Sequence, residues 1–205
     1  KKHTLLALSV AGSVISNFYF FYMIVLFSPN ATQNNDRAIA RNAQMNARKT
    51  QILSLIDAAR EIPYETITIL ARDETVLRGR YLHMRDGAPV CICFHGYRGT
   101  PYRDFSGGIQ LMRKFGVNIL LAEQRAHCRS EGSTITFGVK ERLDCLSWTE
   151  YAYHRFGADT KLMLIGISMG ASSVLMASDL ALPDNVLGII ADCPFTTPKD
   201  IVTCV

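Results

Sequence analysis

The chain has 205 residues, 48% of them hydrophobic and 20% charged, with a formal net charge of +4. That length bounds it to one sizeable core, or a small domain with something attached, and the composition excludes both a disordered and a uniformly membrane-embedded chain. The arginines, Arg37, Arg72, Arg113 and Arg142 among them, are scattered, so no basic stripe follows a phosphate backbone and nucleic acid is excluded as a partner.

The chain opens KKHTLLALSVAGSVISNFYFFYMIVLFSPN, in which Thr4 to Phe27 are 24 residues without a charge. As a helix they extend about 36 Å, more than the roughly 30 Å of a bilayer's hydrocarbon core. A transmembrane anchor over residues 1–27 is therefore expected, with Tyr19 and Tyr22 in an interfacial belt. A cleaved signal peptide fits less well, because its apolar region is only about 7 to 15 residues and no small-x-small site follows Phe27. Lys1 and Lys2 before the run are matched by Arg37 and Arg41 after it, so charge sets orientation weakly. The expectation is a single-pass protein of the cell membrane with an extracytoplasmic soluble domain.

Ser28 to Asp36, polar and turn-forming, predicts a linker. Ile52, Leu55, Ile56 and Ala59 then follow i, i+3, i+4, i+7 spacing, which predicts an amphipathic helix ended by Pro63. Linker and helix together occupy residues 28–62. Two β-rich runs, YETITIL and ETVLRGRYL, are separated by a short charged turn and predict an antiparallel pair.

From Pro89 the rhythm changes to strand, loop, helix. VCICFHG is a short apolar strand, DFSGGIQLMRKFG a helix, and VNILLAEQ a second buried strand. FGVKERLDCLSWTEYAYHRFG is a long helix with Val139, Leu143, Leu146 and Tyr153 on its apolar positions. KLMLIGIS, the helix ASSVLMASDLAL and the strand VLGIIADCPF follow. Near-continuous apolar strands alternating with helices predict an α/β fold, a mostly parallel sheet covered on both faces, over residues 63–205. Of six cysteines, Cys91 and Cys93 alternate along one predicted buried strand, which assigns them to packing. No C-x-x-C or close His/Cys cluster supports a metal site.

GISMG places Ser168 between Gly166 and Gly170, where an apolar strand gives way to a helix. This is the setting of a nucleophile elbow: the turn lifts the hydroxyl above the sheet, and glycines on both sides avoid collisions with neighbouring backbone. An N-cap serine is the plain alternative, but a cap needs no flanking glycines.

With CFHGYRGT, LLAEQRAHCRSEGSTITFGVKERLD and GISMG in that order, Tyr64 to Val205 resembles the α/β-hydrolase superfamily. The second motif is similar to that of bacterial membrane-associated hydrolases of the acyl-peptidase and Bem46-like groups. The chain departs from that motif at Glu123, where the family has aspartate, and at Ala126 and Cys128, where it has glycines. The resemblance implies Ser168 as nucleophile, with the backbone amides of Tyr97 and Met169 as the oxyanion hole. It implies a loop-shaping role for His95, and His127 in RAHCRS is assigned a structural one. It also implies a small-molecule or peptide acyl substrate and no cofactor.

A serine hydroxyl needs a base, and in this family the order is Ser, acid, His. The five histidines are His3, His83, His95, His127 and His154, all before Ser168. Asp192, after VLGIIAD, is the acid candidate at a strand end, with a local hydrogen-bonding or capping role as the alternative. The expected protein is therefore the N-terminal part of a serine hydrolase acting on an ester, thioester or amide, C-terminally truncated and inactive by itself. A catalytically silent hydrolase-like scaffold and an acyltransferase are the alternatives.

Overall fold

Val90–Phe94 forms a strand, β3, with all five residues buried, and the remaining elements are arranged about it. The computed structural model describes residues 2–28, 35–37, 39 and 43–203. β3 runs parallel to β4 (Asn118–Glu123) on one side and to β5 (Leu162–Ile167) on the other. β6 (Val186–Asp192) continues the parallel set beyond β5. Beyond β4, β2 (Val76–Leu82) is antiparallel and pairs with β1 (Glu65–Leu70), giving the order β1-β2-β4-β3-β5-β6.

Alternation along the central strands builds two cores, because successive side chains leave a strand on opposite faces. Ile92, Phe94, Leu120 and Ala122 face a cluster that includes Cys145 and Trp148 of α5 (Glu141–Phe156) and Val174 and Ala177 of α6 (Met169–Ala177). Cys91, Cys93, Ile119 and Leu121 face the other cluster. It contains Ile56 and Ala59 of α3 (Lys49–Arg60), and Phe105 and Ile109 of α4 (Pro101–Lys114). The expected helix–sheet–helix sandwich, the antiparallel pair and the packing role of Cys91 and Cys93 are all present.

Boundaries differ where side chains capture backbone. α4 starts at Pro101, earlier than its apolar pattern, because Thr100 caps it, accepting from the Arg103 amide at 3.2 Å. α5 starts only at Glu141, whose buried carboxylate accepts from the amides of Thr136 and Gly138, both at 2.8 Å, and from the Thr136 hydroxyl. Val139 therefore precedes the helix and is 53% exposed rather than part of its buried face.

At the N-terminus, α1 (Lys2–Phe21) runs into a π-helical turn, Tyr22–Leu26, and then bonds to the domain. Ile135 donates to the Leu26 carbonyl at 2.8 Å and Ser28 to that of Ser133 at 2.9 Å, with Phe27 and Thr134 in an isolated antiparallel bridge. Among the described residues no helix is long and apolar enough to cross a membrane. Within the stretch 1–27 expected as an anchor, Tyr22, Leu26 and Phe27 bond to the loop at 133–135. Tyr22, expected in an interfacial belt, instead shares a 3.1 Å hydrogen bond with Thr134 Oγ1. Residues 29–34 of the expected linker lie outside the described residues. A five-residue helix, α2 (Ala43–Ala47), precedes α3.

Candidate active site

The chain leaves β5 at Ile167 and enters α6 at Met169, with Ser168 alone at the corner. Ser168 has φ 52° and ψ −114°, a combination sparsely populated outside glycine that costs roughly 1–3 kcal/mol. Its side chain makes no capping bond and is exposed, so the cap reading does not hold. The turn is held instead through backbone: Ser168 donates to the Asp192 carbonyl at 2.8 Å, and its own carbonyl accepts from Ser172 at 3.1 Å.

The flanking glycines are required by close approach. A Cβ on Gly170 would meet the carbonyl carbon of Phe94 at 2.6 Å and the carbonyl oxygen of His95 at 2.7 Å; one on Gly166 would meet the Ala171 nitrogen at 2.5 Å. These contacts press α6 against the end of β3. They also bring the β3–α4 loop over the corner, where a Cβ on Gly96 would lie 3.4 Å from that of Ser168.

That loop is braced from several sides. Asp104, in the first turn of α4, accepts from the Gly96 amide at 2.8 Å, and Gly99 donates to the Gly96 carbonyl at 2.9 Å. Arg98, at φ 48°, donates its amide to His127 Nε2 at 3.0 Å. The Tyr97 ring stacks on Phe137 at 5.1 Å, and its hydroxyl donates to the Val25 carbonyl at 2.8 Å. Arg98 donates to the Ile24 carbonyl at 2.8 Å. Among the described residues, the amides of Tyr97 and Met169 donate to no acceptor, while the neighbouring amides of Gly96 and Arg98 are engaged. Two uncommitted N–H groups beside a strained serine, one at a helix N-terminus, are the chemistry that holds a developing oxyanion.

Asp104 is the residue the sequence reading missed. Its signal was present in T-P-x-x-D, Thr100 to Asp104, a cap followed by an acid in the first turn.

The two histidines nearest in sequence to these loops are locked as neutral imidazoles. His95 Nε2 accepts from the Gln124 amide at 3.2 Å, so the proton sits on Nδ1, which donates to the Gly96 carbonyl at 2.9 Å. His127 repeats the pattern: Nε2 accepts from Arg98, and Nδ1 donates to the Arg125 carbonyl at 2.7 Å. Both are fully buried, with ring centroids 4.9 Å apart. Burial lowers both affinities for a proton, taking His127 down to about 3 with further repulsion from His95, Arg98 and Arg103. With both ring nitrogens occupied, neither can accept a proton from Ser168. His83 bonds Tyr81 and Asp86 instead, and His154 stacks edge-on against Tyr153 near the end of α5. The side chain of His3 lies outside the described residues.

Asp192 ends β6 in register with Ile167, one residue before Ser168. Its carboxylate is exposed and accepts from the Cys193 thiol at 3.2 Å rather than from an imidazole. Ala126 and Cys128 both take left-handed backbone, φ 57° and 49°, where glycine is the usual occupant. Their loop is pinned by Arg125, 5% exposed, which pairs with Asp144 at 2.6 Å and Asp73 at 2.9 Å. Glu123, fully buried where the resembling family has the shorter aspartate, pairs with Arg129 at 2.9 Å and Arg80 at 3.2 Å. No cluster of three or more His, Cys, Asp or Glu that could hold a metal ion occurs among the described residues.

A cavity of about 880 Å³ opens over the corner. Ser168, Ile167 and the Gly96–Arg98 loop form one side of it, and Ile39, Met45 and Ile52 another.

No protein-family model matches this chain, and no curated protein matches it in sequence. Solved structures do. The esterase Pf2001 of Pyrococcus furiosus is 25% identical with a TM-score of 0.60, over 67% of this chain and 52% of its own. The Pyrobaculum calidifontis esterase is 19% identical with a TM-score of 0.52, over 74% and 52%. Atu1826 of Agrobacterium tumefaciens, a protein of unknown function provisionally named an α/β hydrolase, is 20% identical with a TM-score of 0.55, over 66% and 62%. The chain thus has the fold of α/β-hydrolase esterases over about two thirds of its length, and it spans about half the length of the two esterases.

Proposed function

We propose that this chain carries the nucleophile and oxyanion hole of a serine hydrolase that cleaves an ester, thioester or amide. The observation that carries this reading is the strained, uncapped Ser168 facing the Gly96 loop with two amides left over. In the proposed reaction, Ser168 Oγ attacks the acyl carbon as a base removes its proton. The carbonyl oxygen takes the negative charge toward the amides of Tyr97 and Met169, and the leaving group departs with the proton. Water, deprotonated by the same base, then releases the acid and restores the serine.

The described histidines, His83, His95, His127 and His154, all have other partners, so none of them is proposed as the base. Asp192 sits beside Ser168 and is the acid this chain itself can offer. The reaction needs no metal or organic cofactor. Assignment to the acyl-peptidase and Bem46-like branch rests on the sequence motifs. A pure scaffold has no need of a strained serine, which favours the enzyme.

A fluorophosphonate probe on the full-length protein should label Ser168. Labelling that survives Ser168→Ala would remove the assignment.

A further inference from the structure

The cavity above Ser168 is walled by a part of the chain that precedes the sheet altogether. Ile39 lies before the first strand, Met45 is in α2 and Ile52 is in α3, yet all three face the same space as Ser168. The wall is anchored. Ile56 and Ala59 of α3 are fully buried in the cluster that contains Phe105 and Ile109 of α4. The stretch before Ile39 is clamped onto α3 by two ion pairs, Arg37 to Asp57 at 2.7 Å and Arg60 to Asp36.

Apart from Ser168 and the Tyr97 amide, the polar groups lining the cavity are already engaged by the fold. Arg98 donates to the carbonyls of Ile24 and Phe27. Arg103 donates to Asp104 and to the Arg98 carbonyl, and Asp104 accepts from Gly96. A polar substrate arm entering here would exchange its hydration for groups that have partners, at a net cost. What the cavity offers an occupant is the aliphatic surface of Ile39, Met45, Ile52 and Ile167, in a volume within the roughly 300–1,000 Å³ of small-molecule sites.

We infer that Ile39, Met45 and Ile52 form the acyl-chain wall of the Ser168 pocket, and that the substrate is an ester or thioester of a medium-chain aliphatic acid. This rests on the hydrolase reading of Ser168. Burying one methylene against such a wall is worth about fourfold in kcat/KM.

The test uses the full-length protein and p-nitrophenyl esters that share one leaving group, from acetyl to decanoyl. kcat/KM should rise about fourfold per methylene until the cavity fills. Ile52→Trp, and independently Met45→Trp in case the first variant fails to fold, should lower the decanoyl-to-acetyl ratio by about 15-fold, the value of two displaced methylenes. A flat acyl series that still depends on Ser168 would overturn the wall and leave the hydrolase reading standing. A second measurement needs no turnover: displacement of bound cis-parinaric acid by decanoate. Displacement weakened about 15-fold by either tryptophan, with no Ser168-dependent hydrolysis, would support the wall and remove the enzyme. Displacement unaffected by both variants would overturn the wall.

Discussion

Acid should loosen the loop over Ser168 through His127. Its imidazole has an ordinary value of 6.5, and burial takes it down to about 3 in the fold. Between those values the unfolded chain binds a proton that the folded one refuses, so stability is full above pH 6.5 and is lost as pH falls toward 3. At pH 5.0, about 1.5 units below the unfolded value, the loss from His127 alone is about 2 kcal/mol. His95 shifts in the same direction. The assay is urea unfolding at pH 7.5 and 5.0, followed by Trp148, the one tryptophan and 1% exposed. Comparison with His127→Asn removes contributions common to both proteins, including Asp73, whose carboxyl Arg125 holds well below the usual range. The wild type should lose about 2 kcal/mol more than the variant across this interval. Equal losses would refute the claim that His127 is held neutral as the acceptor of the Arg98 amide.

Gly170→Ala should cost about 3 kcal/mol or more, because the new methyl meets the Phe94 and His95 backbone rather than a movable side chain, and it should reduce probe labelling of Ser168. Gly107→Ala in α4 is the control: nothing lies within 4 Å of its Cβ, so a gain of about 0.5–1 kcal/mol is expected in the same urea titration. Cys128→Gly should raise stability by about 0.5–1 kcal/mol, since relief of the left-handed side chain at φ 49° exceeds the extra entropy of glycine in the unfolded state. A lowered thermal midpoint for this variant would count against strain at that position.

Local pattern determined a large share of this protein. The continuous apolar run VCICF, period-3.6 apolar spacing around Ile56, and the glycines flanking Ser168 are all written within a few residues, and each produced the element it predicts. The order of those elements then implied the parallel sheet. Pattern failed where one side chain captures distant or looped backbone. Glu141 delays α5 by accepting from the Thr136 and Gly138 amides in the loop before it.

The corner itself divides in the same way. That Ser168 stands at a strand-to-helix turn was legible, because the turn's steric demands fall on Gly166 and Gly170 beside it. That His127 holds Arg98 across 29 residues, and Tyr97 reaches Val25 across 72, was decided only by tertiary structure. So were the bracing role of Asp104 and the aliphatic wall carried by α2 and α3. Sequence periodicity records which face of an element is buried, whereas the partner across that face is chosen by packing among elements far apart in the chain.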